Sequence, residues 1–433
     1  MMKKIFYTEN KFRAALSPRK MTKITMVAAL AFVLVAVVTG ILVKLLLFSN
    51  DENESSGHEC VINPFEVNPH PLIVLSKGVD WIYPIHGENV LRFKQGTSLD
   101  FLCPGRQIII NNTQTEKDIL TGQCISDTVF LIDDMHVEWR TLICGDFRRS
   151  IRDTGNSCVG NGKELITGFE TDDGRFITAL TICFNPQLEI AYYTFINQTS
   201  TINQRVLATP RPSFIQGSGI YTIGSATSYY VRAQQRATIN TLVGLPENST
   251  KYIQDSGNYF LSRGHMTARS DGFYAAQQNA TFYMQNIAPQ WHTVNGANWN
   301  QIEIDLRDYA EASASDLQVY CGVYGVTTLP HEETGDEIEL YLFVNSTHKL
   351  LPVPEFYWKV AYNSLTKAAV ALIGMNNPYK ESFTPICEDI SSNLSWFTCN
   401  SELVKGYCYA CTVPSFRKIV TTLPDFPTKQ LLT

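Results

Sequence analysis

Charge is scarce in this chain. Of 433 residues, 35 are Lys or Arg and 41 are Asp or Glu, a formal net charge of −6. Indiscriminate coating of nucleic acid needs clustered positive charge to neutralise phosphates, so that class is excluded. No internal repeat or low-complexity tract is present, and an apolar content of 44% suits a folded chain of two or three domains with sizeable cores. Cysteine is absent before Cys60. Cys387, Cys399, Cys408 and Cys411 include one Cys-x-x-Cys pair, but no histidine or second such pair supports zinc there.

Residues 24–43 form an apolar run interrupted only by Thr25, Thr39 and Gly40, and it resumes through Phe48 after Lys44. That length crosses a bilayer as a helix. Seven basic residues precede it against the single Glu9, whereas Asp51, Glu52 and Glu54 follow. The bias places the N-terminus in the cytosol and the rest outside or in a lumen, as a type II signal anchor over 24–48. A start at Met21 would instead make a signal peptide with a small-residue exit near Gly40, and a secreted protein. On either reading all eleven cysteines enter an oxidising space, which favours disulfides and leaves one cysteine over. Acceptors for N-linked sugar at Asn111, Asn197, Asn248, Asn345 and Asn393 also follow the run.

The organisation expected is a cytosolic tail at 1–23, the anchor at 24–48, a stalk at 49–59, a small disulfide-tied β module at 60–145, and a larger domain at 146–433. Short apolar and β-branched runs predict strands at 107–110, 129–132, 176–184, 188–195, 319–326, 337–344, 356–362 and 368–373.

Three short stretches carry the chemistry: Ser262-Arg263-Gly264-His265, Asn286-Ile287-Ala288-Pro289-Gln290, and Asn295 through Trp299 to Glu303. An unprotonated His265 can take a proton from an attacking water. Arg263 can grip phosphate at two points, and Gly264 permits close approach of backbone or phosphate. Asn295 and Glu303 are oxygen ligands for a divalent ion that would stabilise the charge developing on phosphate. Apolar spacing from Asn295 to Tyr309 predicts a helix, on which Asn295 and Glu303 would lie about 80° apart. Asn295 is also a favoured helix cap, and the two roles can coexist. Between residues 201 and 270, seven Arg and Lys stand against Glu247 and Asp255, enough to line a basic groove on an acidic protein.

These motifs, in order and spacing over about forty residues, resemble the DNA/RNA non-specific endonuclease family, the ββα-metal nucleases. Weaker likeness at Arg211-Pro212-Ser213-Phe214 and from Val353 to Lys359 favours its arthropod double-stranded RNase branch. The resemblance implies an α+β fold with a mixed or antiparallel sheet. It further implies a magnesium-dependent endonuclease, with manganese as a substitute, acting on DNA and RNA. His265 would be the general base, Asn295 the direct protein ligand of the ion, and Glu303 the holder of a water in its shell. Asn286 and Gln290 would order the site, with Arg263 and Arg269 on the substrate. The family's transition-state arginine would be Arg211, or else Arg205. Ser262 departs from the family's Asp and keeps alive a second reading, a nucleic-acid binder with weak or no turnover. Membrane attachment through the N-terminal helix and pairing with a second copy complete the expected partners.

Overall fold

The computed structural model describes residues 59–433, apart from Asn68, Asp146, Ala208 and Thr209. The expected tail and anchor, and the stalk as far as residue 58, lie outside the described residues. Among the described residues no helix is long and apolar enough to cross a membrane.

Strands β1 (Leu72–Leu75), β2 (Ser98–Leu102), β3 (Ile119–Ser126), β4 (Val129–Ile132) and β5 (Met135–Glu138) form an antiparallel sheet in chain order. In β3 buried and less buried positions alternate, because successive side chains point to opposite faces. Disulfides Cys60–Cys124 and Cys103–Cys144 tie this region, whose own core includes Phe101, Phe130 and Trp139.

The chain then enters a nine-stranded sheet through β6 (Ser150–Ser157), β7 (Lys163–Glu170), β8 (Phe176–Asn185) and β9 (Ile190–Gln198). It leaves for residues 199–316, which hold α1 (Arg232–Leu242), β10 (Leu261–His265), α2 (Ala275–Ala280), β11 (Ile287–Trp291) and α3 (Asn300–Ala312). It returns through β12 (Leu317–Tyr324), β13 (Phe356–Asn363), β14 (Ala368–Met375) and β15 (Cys408–Cys411), all antiparallel, and β16 (Gln430–Leu431) adds a parallel pairing to β14. The hairpin β10–β11 followed by α3 is the ββα arrangement that the resemblance implies.

Every residue of β13 and β14 is buried, because both faces of the sheet are covered. Tyr357 and Ala361 face the core that includes β10 and α3, whereas Phe356, Trp358, Val360 and Tyr362 face the C-terminal segment of Val413, Phe416 and Val420. Disulfides Cys387–Cys411 and Cys399–Cys408 hold that segment, and Cys158–Cys183 ties the far edge. The cysteine left over is Cys321, buried in β12 and so withheld from any intermolecular bond.

Three differences from the sequence expectations have local causes. The run at 337–344 is two short strands with Leu340 between them. Strand β6 was not expected, because an edge strand of Ser-Ile-Arg-Asp-Thr-Gly-Asn-Ser is mostly solvated and lacks an apolar period. The site helix proper begins at Asn300, and residues Asn295–Trp299 form a π turn in which Ala297 has φ −124° and ψ −109°. The separation of about 80° between Asn295 and Glu303, drawn for an unbroken α-helix, therefore does not apply.

Candidate active site

A two-stranded hairpin leaves the outer backbone groups of both strands without sheet partners, and buried groups of that kind must be satisfied elsewhere. Buried amide side chains do this here. Gln235 of α1 accepts from Leu261 N at 2.7 Å and donates to Leu261 O at 3.1 Å, closing the edge of β10. Asn376 accepts from Trp291 N at 2.9 Å and donates to Pro289 O at 3.1 Å, closing the edge of β11. Asn286 accepts from Thr267 N at 3.0 Å and donates to the carbonyls of Thr267 and Thr281, both at 2.9 Å, fixing the chain just after His265. Gly264 is required because a Cβ there would lie 2.5 Å from Gln290 Oε1 and 2.7 Å from Tyr357 Oη. The close approach at Gly264 is thus by side chains from inside the fold rather than by phosphate or backbone.

His265 ends β10 with its ring packed against Phe214 (5.3 Å between centroids) and Phe282 (4.9 Å). Arg211 lies over the Phe282 ring, and Arg263 lies over both Phe214 and Tyr230. Burial first, and the positive charge of Arg211 next, push the His265 pKa down to about 3, against a smaller raising effect of Asp271. The imidazole is therefore neutral near pH 7, as a proton acceptor must be. Arg269 is close enough to Arg211 for the two charges to oppose each other.

Behind His265 lies a buried charge network. Asp271 receives Lys359 Nζ at 2.9 Å and Arg307 Nη1 at 3.1 Å. Burial alone would raise its pKa, but these two cations outweigh burial and hold the carboxyl below its ordinary range. Lys359 also reaches Met266 O at 3.3 Å and Cys321 Sγ at 3.1 Å. Glu303 on α3 shares the field of Lys359, Asp271 and Arg307, and burial pushes its pKa up to about 7.

Asn295 sits in the π turn, where its amide nitrogen donates to Ser262 Oγ at 3.0 Å. That turn is strapped from the C-terminal segment: Asn298 donates to Asn400 O at 2.8 Å and to Gly406 O, and accepts from Asn400 N at 3.0 Å. An open cleft of about 670 Å³ runs between the strap and the turn, lined by Gly296, Asn298, Gln301, Asn400 and Lys405 among others. It does not include His265.

The profile of the DNA/RNA non-specific endonuclease family matches residues 160–416, more than half of the chain. The protein belongs to that family. A salivary endonuclease of Lutzomyia longipalpis is 26% identical over 323 residues, 74% of this chain and 71% of that protein. Salivary protein Tsal1 of Glossina morsitans morsitans is 23% identical over 56% of this chain and 60% of its own length. A salivary endonuclease of Culex quinquefasciatus is 23% identical over 52% of this chain and 55% of its own length. This chain thus spans less than two thirds of the last two. A chain from a crystal structure of an EndoG/EndoGI complex aligns over 58% of this chain and 87% of its own, at 17% identity and a TM-score of 0.37, too distant a likeness to argue from.

Members of the DNA/RNA non-specific endonuclease family are nucleases, hydrolases of phosphodiester bonds that depend on a divalent metal. Among the described residues no group of three or more His, Cys, Asp or Glu could hold a metal. With its nitrogen bound to Ser262, Asn295 retains Oδ1 as a free acceptor for a further partner.

Of the seven cations at 201–270, only Arg211, Arg263 and Arg269 gather near His265. Arg236 pairs with Asp255 at 2.6 Å and Lys251 with Glu332 at 2.5 Å, while Arg232 lies over Phe260. Arg205 bonds Ile202 O and Asn203 Oδ1 at 3.3 Å each, in the field of Arg307 and Asp271, so Arg211 is the one of the two candidates that faces the histidine. The expected basic groove is therefore a smaller cluster. Asp271, Lys359 and Arg307 received no role from the sequence. One signal was there, a lone lysine inside the apolar run of β13, which period two puts on the same face as Tyr357 and Ala361. The five sugar acceptors Asn111, Asn197, Asn248, Asn345 and Asn393 are all exposed.

Proposed function

We propose that this protein is a magnesium-dependent endonuclease that hydrolyses DNA and RNA without regard to sequence, outside the cytosol. The observation that carries the reading is His265 at the end of the first strand of the ββα hairpin, between Phe214 and Phe282 and beside the guanidinium groups of Arg211 and Arg263. His265 accepts the proton of the attacking water, and Arg211 offsets charge on the non-bridging phosphate oxygens. Arg263 and Arg269 hold the flanking phosphates, contacts that carry no base information. Asn295 Oδ1 and Glu303 would hold the ion, which would supply Lewis-acid stabilisation of the leaving oxygen. Asn286 fixes the chain just after His265, and the Gln290 carbonyl anchors the Ser262 hydroxyl. Five disulfides and salivary relatives support an extracellular or luminal setting, with sugar on the exposed acceptors. Residues 24–48 serve as the signal anchor, or as a leader in a secreted form.

The test is cleavage of plasmid DNA and long double-stranded RNA by the purified protein, with magnesium or with chelator, beside His265→Ala. Shortening that needs the metal is expected, with a loss of about 10²–10⁴-fold in the variant. Substrate retarded on a gel but left intact under every condition would replace the enzyme with a nucleic-acid binder.

A further inference from the structure

Ser262 stands where the resemblance leads one to expect an aspartate, and its hydroxyl makes two hydrogen bonds. Oγ lies 2.9 Å from Gln290 O and 3.0 Å from Asn295 Nδ2. A serine hydroxyl has one proton to give, and a backbone carbonyl can only accept. The proton is therefore committed to Gln290 O, and Oγ can meet Asn295 only as an acceptor. Whatever sits against Oγ must be the NH₂ end of the Asn295 amide, because the carbonyl end would set two acceptors face to face. Amide orientation in asparagine is decided by such donor and acceptor accounting.

We infer that Ser262 is a positioning residue that sorts the two ends of the Asn295 amide, holding Nδ2 so that Oδ1 is the end left to bind a divalent ion. The inference rests on the proposed role of Asn295 as metal ligand. Its geometric support is independent of that role. Strand pairing places Ser262 opposite Gln290 in the β10–β11 register, so the carbonyl that takes the serine proton is fixed by the hairpin. Asn298 straps the π turn to the C-terminal segment and so holds the backbone that carries Asn295. An aspartate at 262 could also accept from Nδ2, but it would have no proton for Gln290 O at neutral pH. The serine is thus a working replacement rather than a lesion.

The test uses the full chain, stripped with chelator and titrated with Mn²⁺ alone, with bound ion read by electron paramagnetic resonance. The concentration of Mg²⁺ needed for half-maximal cleavage is measured in parallel. Ser262→Ala is expected to weaken Mn²⁺ binding about ten-fold, the lower end of losses seen when a group orienting a ligand is removed. Ser262→Thr keeps the hydroxyl and should restore wild-type binding. The decisive arm is Asn295→Asp, whose two oxygens are equivalent and need no sorting. In that background Ser262→Ala should change Mn²⁺ affinity little, whereas a merely structural serine would cost the same in both. Equal losses in the two backgrounds, or no loss in Ser262→Ala alone, would overturn the inference and leave the endonuclease reading intact. A wild-type protein that neither binds Mn²⁺ nor cleaves would remove both.

Discussion

The N-terminal sheet and the hairpin that carries His265 are both small antiparallel structures, yet they are held by opposite means. In the first, strands β1 to β5 pair in chain order, an apolar core lies beneath them, and Cys60–Cys124 and Cys103–Cys144 close the ends. In the second, no cysteine occurs between Cys183 and Cys321, and its strands are closed by the amides of Gln235, Asn286 and Asn376 and backed by Asp271 with two cations. Covalent links restrict the unfolded chain but do not say where a side chain points. Buried polar bonds do, since each has a direction and leaving one unmade is costly. The two regions also meet: Tyr274, three residues past Asp271, stacks on Trp81 and Tyr83 at 5.7 and 5.9 Å. The segment between β1 and β2 thereby braces the turn that holds the network.

The comparison breaks most sharply at Asp271. Asp271→Asn leaves Lys359 and Arg307 buried without their counter-charge and should cost about 3–5 kcal/mol by chemical denaturation. The pH dependence has a definite sign. Asp271, held below its ordinary value, contributes stability that is complete above the unfolded carboxylate range and is lost as pH falls through the lowered value. Lys359, held above its ordinary value, contributes stability that is complete below the unfolded lysine range and is lost only in alkali. The variant should lose both contributions.

Replacing Cys103 and Cys144 together with serine should cost about 2–4 kcal/mol, measured by the same unfolding curves. Here kcat should stay at the wild-type value. A fall in kcat would mean that the outer sheet, too, sets the geometry of the site. Gln235→Ala should destabilise by about 1–3 kcal/mol, because the Leu261 backbone loses its partners. In this case activity should fall by more than the unfolded fraction explains, since β10 ends on His265. A separate effect, confined to acid, concerns His265 itself. Its pKa is lowered from 6.5 to about 3, so the unfolded chain binds more protons between those values and stability declines as pH falls across that window. His265→Ala should flatten that part of the stability profile, read as melting temperature against pH.

Much of the fold was legible because burial leaves a period. Strands β8, β9, β12, β13 and β14 stand within a few residues of the apolar runs that predicted them. The hairpin and the motif residues on it were legible as a resemblance, through their order and spacing. What escaped was polar. Helix α1 reads Arg-Ala-Gln-Gln-Arg-Ala-Thr-Ile-Asn-Thr-Leu, with too few apolar residues to announce a face, yet two of its buried side chains are Gln235 and Asn240. The π turn was hidden because one extra residue in a helical turn changes no composition.

The sequence by itself determined that its cysteines suit disulfides, that strands lie near 356–362 and 368–373, and that its motifs resemble one nuclease family in order and spacing. Each of these follows from residue kind and spacing, which a chain displays before it folds. Only the tertiary structure decided that Cys321 is the cysteine left over, that Arg211 rather than Arg205 faces the histidine, and that Ser262 meets Asn295 across 33 positions. These depend on directed bonds between residues far apart in the chain, and direction exists only once the backbone has set both ends.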